Sequence, residues 1–180
     1  MDTADGGDDV AGDDDDDDVP ACEEVDRHPV SLVAVGSWTR TSADADPFGD
    51  ERPAQFECEV GWGVENGVFE VDTEACQYGS FEQAALADIA AGDALELIVL
   101  HDALYDEEPA EAHLGVAIGP DVMWETTLPI PSPPGYLRPT WTATEDIPAG
   151  TVVHFHVHNH GYNNYRVVDV TRTRTCPADG

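Results

Sequence analysis

Val152-Val153-His154-Phe155-His156-Val157-His158-Asn159-His160-Gly161 is the stretch on which the reading of this chain turns. In a β-strand successive side chains point to opposite faces. One parity here is Val153, Phe155 and Val157; the other is His154, His156, His158 and His160. A strand that buries one face reads this way. An internal echo supports the register. Asp88-Ile89-Ala90-Ala91-Gly92-Asp93 is repeated as Asp146-Ile147-Pro148-Ala149-Gly150-Thr151, and each copy runs into an alternating apolar segment. Leu95, Leu97 and Val99 then align with Val153, Phe155 and Val157. These six are expected to face the core of two equivalent loop–strand units.

Working outward, the same short-strand pattern recurs from Cys22 onward. Strands are expected at Ser31–Thr41, Ala54–Val60, Val68–Val71, Ala94–Leu104, Ala112–Ile118, Val122–Leu128, Thr140–Thr144, Val152–Asn159 and Tyr165–Thr171. Turn signals separate them: Asp46-Pro47, Glu65-Asn66-Gly67, Gly119-Pro120, Pro131 to Gly135 and Pro148-Ala149-Gly150. Ser80-Phe81-Glu82-Gln83 has the form of a helix capping box before an alanine-rich run. The echo argues for strand or coil over 80–91 instead, and strand or coil is the expectation. Many short strands at this spacing predict an all-β fold, an antiparallel β-sandwich of jelly-roll or galactose-binding-like type.

The 180 residues suit one domain, expected over 22–180, and 41% hydrophobic residues can furnish its core. Residues 1–21 are mostly Asp, Gly and Ala, with six consecutive aspartates from Asp13 to Asp18. Such a segment cannot offset its ordering entropy by burial and is expected to be a disordered acidic linker, as in a lipoprotein-like surface spacer. The chain carries 7 Lys+Arg, all of them arginine, against 38 Asp+Glu, a formal net charge of −31. That charge repels nucleic acid and anionic membranes and suits cationic partners, metal ions or a salty medium. No apolar run approaches the roughly 20 residues of a membrane helix.

Four cysteines, Cys22, Cys58, Cys76 and Cys176, form no C-x-x-C pair. An even count at wide spacing fits two disulfides, expected as Cys58–Cys76 and Cys22–Cys176 among three possible pairings. Disulfides follow an oxidising compartment. No signal peptide follows Met1, so the chain is either cytoplasmic or a mature form, and the cysteines favour the second: the expectation is an extracellular or cell-surface chain whose signal or anchor lies outside this sequence.

The histidine row is the sharpest chemical feature. Residues two apart along a strand share a face about 6.5 Å apart, so His-x-His pairs can converge on an ion. His113, with Glu111 on the same parity beside small Gly115 and Ala117, could join from a neighbouring strand. His154, His156, His158 and His113 are therefore the candidate metal ligands, with Glu111 or Asp102 in support, for zinc or copper(II). The alternation resembles the His-rich copper motifs of multicopper oxidases and cupredoxins. Blue-copper sites add a cysteine between their histidines and often a methionine. No cysteine lies near this row and Met123 is the only internal methionine, so the activity of those families does not carry over. The competing reading is a polar face of imidazoles hydrogen-bonded to carboxylates.

No nucleophile elbow, P-loop, dinucleotide loop or His-Glu-x-x-His helix occurs in the sequence. Among aromatics, Trp38 and Trp141 read as core, while Trp124 and Tyr162, near turns, are candidates for stacking on a sugar or small ligand. The proline-rich stretch Pro129 to Pro139 reads as an exposed loop. The function expected is a secreted or surface-anchored binding domain for a glycan or protein. A zinc- or copper-binding domain on the histidine strand is the alternative, and a metal-dependent enzyme on the same residues a third.

Overall fold

The computed structural model describes residues 28–174. Its strands are β1 (Val30–Ser31), β2 (Thr39–Arg40), β3 (Trp62–Glu65), β4 (Val68–Asp72), β5 (Tyr78–Ala84), β6 (Ala94–His101), β7 (Ala110–Ile118), β8 (Asp121–Ile130), β9 (Gly135–Leu137), β10 (Thr140–Thr142), β11 (Val152–Asn159) and β12 (Asn164–Thr173). Every pairing is antiparallel. One sheet has five strands in the order β2-β5-β11-β7-β8. The other has seven: β10-β6-β12-β4-β3, with β1 added on β12 and β9 on β6. No α-helix occurs among the described residues. The fold is an antiparallel β-sandwich. The acidic segment and the Cys22–Cys176 pairing lie outside the described residues.

The core forms where period-two patterns from the two sheets meet. In the five-stranded sheet Phe155 sits between Phe81 and Val116, and Val157 beside Leu114. In the seven-stranded sheet Leu97 faces Val170 and Val99 faces Val167. All are buried. Removing each such side chain from water contributes about 1.5–3 kcal/mol. The six positions aligned by the echo are all core residues, three in each sheet. Residues 78–84 are strand, as the echo required, and the capping-box pattern there makes no helix.

The two echoed loops bond to one another reciprocally. Ile89 N donates to Ile147 O at 2.9 Å, and Ile147 N to Ile89 O at 2.8 Å. Asp88 Oδ1 accepts from Ala149 N at 2.7 Å, and Asp146 Oδ1 from Ala91 N at 2.8 Å. Gly92 N donates to Ala143 O and Gly150 N to Ala85 O, each at 2.8 Å. Both glycines have positive φ, +90° and +87°, which residues with a Cβ adopt at a cost. The result is a clasp with approximate twofold symmetry joining the loop into β6, in one sheet, to the loop into β11, in the other.

Several expectations are revised. Ala54–Val60 is not a strand; its backbone is held by the Cys58–Cys76 disulfide and by loop packing, and the sheet resumes at β3. Ser31–Thr41 divides into β1 and β2 around a 3-10 turn at Val35–Ser37. The proline-rich stretch contributes β9 to the seven-stranded sheet. Asn66, with φ +50°, and Gly67 make a two-residue hairpin turn between β3 and β4.

If the clasp works as its bonds indicate, Asp88→Ala and Asp146→Ala each lower unfolding free energy by about 1 kcal/mol. The double variant should lose less than the sum, because both aspartates hold one pair of loops. Denaturant titrations check this; strict additivity would show the loops to be independent.

Candidate functional site

The histidines of β11 do stand on the side of the sheet away from the core, but that side is not bare. The connection between β2 and β3 folds back over it. Asp46 organises this strap. Its carboxylate accepts from the Phe48 backbone N–H at 3.0 Å, closing a local turn, and from Arg52 Nη2 at 2.8 Å. The Tyr78 hydroxyl, from β5 beneath, donates to it at 2.5 Å. Burial would raise the Asp46 carboxyl, but the bonds from Tyr78, Phe48 and Arg52 outweigh it and hold the group below the usual carboxylate range. Burial, and then the hydrogen bond to Asp46, push the Tyr78 hydroxyl up. The Arg52 guanidinium also lies 5.1 Å from the Tyr78 ring centroid. At its end the strap is bound to the head of β5 by the Cys58–Cys76 disulfide, across 18 residues.

Phe48 is the contact that seals the strap. Its ring stacks on His156 at 4.6 Å between centroids and 17° between planes. A Cβ on Gly115, beside His156 on β7, would come within 2.4 Å of the Phe48 ring. The room that Gly115 leaves above the sheet is therefore filled by phenylalanine. His156 is 0% exposed, and neither ring nitrogen has a hydrogen-bond partner. Burial, and then the nearby His113, push its imidazole down to about 3.

The histidine row thus divides by environment. His154, also buried, has Thr41 Oγ1 at 3.4 Å and Glu82 at 3.9 Å; burial lowers its pKa against the pull of Glu82. The His156 ring is 5.2 Å from that of His113. His158 is half-buried, with its ring 5.1 Å from exposed His160. Burial, then His160, lower its pKa. His113 Nε2 donates to Glu125 Oε2 at 3.2 Å, leaving Nδ1 buried and unpartnered. Among the described residues no group of three or more His, Cys, Asp or Glu is arranged to hold a metal ion.

Beside the strap the outer face remains open as a groove of about 520 Å³. Its lining is Glu51 from the strap, Glu111 and His113 from β7, Glu125, Thr126 and Thr127 from β8, and His158 from β11. His113 and His158 are directly opposite one another in the sheet and make adjoining parts of that lining. The expected site residues are therefore brought together only in part. His113 and His158 share the groove, His156 lies beneath the strap, and His154 lies farther along β11. Trp124 is opposite Val116 and packs against the core, whereas Tyr162 is 61% exposed in the turn between β11 and β12. Neither aromatic lines the groove. Phe48, Asp46, Arg52 and Tyr78 were not anticipated; the small residue at Gly115 was the one sequence signal of something seated there.

Gly115→Ala should force the Phe48 ring off His156 and cost about 2 kcal/mol as an overpacked contact. In a Phe48→Ala background the same Gly115→Ala change should cost much less in thermal unfolding, and an equal cost in both backgrounds would mean the ring is not what the Cβ meets. The depressed His156 pKa gives a second expectation. Above pH 6.5 the imidazole is neutral folded and unfolded, and its contribution is fully present. Between 6.5 and about 3 the unfolded chain takes up a proton that the folded one refuses, so stability falls with pH. Relative to His156→Phe, the native chain should lose roughly 1 kcal/mol per pH unit in that window. A constant difference from pH 7 to 4.5 would show the imidazole to be solvated.

No family model matches the chain, and no curated protein matches it in sequence. Solved structures do resemble it. One, described as "CBM4 structure and function", is 14% identical over 78% of this chain and 96% of its own, with a TM-score of 0.45. A "Family 16 Carbohydrate Binding Module-2" is 7% identical over 64% and 87%, with a TM-score of 0.41. The CBM51 from Clostridium perfringens GH95, in complex with methyl-galactose, is 11% identical over 79% and 92%, with a TM-score of 0.36. At these identities and scores neither ligand nor activity carries across to this chain.

Proposed function

We propose that this chain is a binding domain working outside the cytoplasm, and that its ligand seats in the groove between the strap and β8. The observation that carries the reading is the groove itself. It is large enough for a small ligand or one segment of a larger one. It offers carboxylates, imidazoles and threonine hydroxyls on a floor of paired strands, which is a rigid base for recognition. Its polar lining and the excess of acid suit a polyhydroxylated or cationic ligand rather than an anionic one. The Cys58–Cys76 disulfide fits an oxidising compartment.

One observation favours metal as a second reading. The carboxylate of Glu125 orients His113 so that Nδ1 is left without a partner, as a carboxylate does for a metal-bound histidine. The adjoining ring is that of His156. Zinc or copper(II) would need both of these rings, on which Phe48 packs.

A single set of titrations tests both readings. Neutral oligosaccharides, cationic peptides, zinc and copper(II) are added to the native chain and to His158→Ala/Glu51→Gln and His156→Ala. The groove reading expects one organic ligand class to bind at least 10-fold more weakly to the double variant, without turnover. Saturable binding indifferent to that variant would move the site elsewhere, and product formation would make the chain an enzyme. Stoichiometric metal binding lost in His156→Ala would establish the second reading, and millimolar, non-stoichiometric binding would end it.

A further inference from the structure

β8 ends the five-stranded sheet. Among the described residues it pairs with β7 alone, through nine of its ten residues. Along its free side, among those residues, the one bond to its backbone is from Ser132 Oγ to the Pro129 carbonyl. A row of backbone donors and acceptors on a long edge is a template for another strand. Sheets protect such edges with lysine, proline, bulges or short length. This edge has no lysine; Pro129 lies near one end and a bulge at Met123 near the other, which leaves Trp124 to Leu128 as an uninterrupted stretch beside the groove.

The edge also borders the groove. Glu125 and Thr127 are exposed at alternate positions on the outer face of β8, with Glu111 and His113 next to them on β7. A strand added to β8 would lie about 4.8 Å away, and every second side chain would stand on that same face. The charges there want a cationic occupant. Glu70 and Glu96 are held by Arg166 and Arg138. Among the described residues no arginine pairs with Glu51, Glu111 or Glu125. A second copy of a chain of net charge −31 is opposed by its own field.

We propose that β8 receives an extended segment of a partner protein as a sixth strand, with arginine or lysine at alternate positions reaching over the groove to Glu125 and Glu111. Main-chain bonds would supply affinity and the alternate side chains specificity. This rests on the groove being a ligand site and names its partner.

The test uses a labelled eight-residue peptide alternating arginine and threonine, its counterpart alternating glutamate and threonine, and a fully N-methylated arginine–threonine version. Binding to the whole chain is followed by fluorescence anisotropy, and amide shifts by NMR. The proposal expects the arginine peptide to bind and to shift β8 amides, the glutamate peptide not to bind, and N-methylation to weaken binding at least 10-fold. Glu125→Lys and Glu111→Lys, both at exposed positions and checked for unchanged melting, should each weaken it 10-fold or more. Equal binding of the parent and N-methylated peptides would overturn strand addition and leave the groove standing as a charge site. No binding of the arginine peptide would overturn the proposal, while the groove reading keeps its own titrations. A concentration-dependent dimer in sedimentation velocity that shifts the same β8 amides would give the edge to a second copy and overturn the basic partner.

Discussion

The structure depends on β11 having a neighbour on each side and a different solvent on each face. Paired to β5 and β7 along its length, it cannot slip by one residue without exchanging Phe155 and Val157 for imidazoles. Its apolar parity is spent on the sandwich core. Its imidazole parity is left facing outward from the middle of a sheet, where neighbouring strands already exclude most water. A buried imidazole that makes no hydrogen bond is costly in its charged form. The strap answers that problem with an aromatic ring rather than a polar partner: Phe48 lies flat on His156. The strap covers the face over His156 and leaves the groove open beside it.

The strap is a long connection with little regular structure, and such segments hold one shape only when a few strong contacts over-determine them. Here the contacts converge on Asp46, which ties the Phe48 backbone, Arg52 and Tyr78 together. A carboxylate kept ionised by three donors is worth more than exposed ion pairs such as Glu96–Arg138, which water screens. The disulfide at Cys58 fixes the far end to β5. Glu51, carried between these two anchors, is thereby held over the groove opposite strands that are themselves rigid. The site is a fixed wall facing a fixed floor.

Much of the fold was legible because period-two burial leaves a strong trace. Val153, Phe155 and Val157 announced their face, and the echo of Asp88–Asp93 in Asp146–Thr151 transferred that register to Leu95, Leu97 and Val99. The pairing of Cys58 with Cys76 was also within reach, from spacing. What stayed hidden lies in the strap. Ala54–Val60 has strand-like composition, yet its contacts are to Arg52, Tyr78 and the disulfide rather than to a ladder. Burial of His156 could not be read from β11, because the residue that buries it is more than 100 positions away in sequence. Gly115 hinted at a ring above it but not which one. For the same reason the histidine row looked like one site and is three environments, set by Thr41 and Glu82, by Phe48, and by solvent near His160.

The reciprocal loops have a consequence for how the chain holds together. Each copy of the echoed segment bonds to the other, 58 positions along, and the two lead into opposite sheets. A backbone cut in the exposed stretch between β6 and β7 would leave one copy on each fragment. Each fragment would keep one half of the fastener, and these hydrogen bonds would then join two chains instead of one. The molecule is in this sense two halves buttoned across the seam rather than one ribbon folded over.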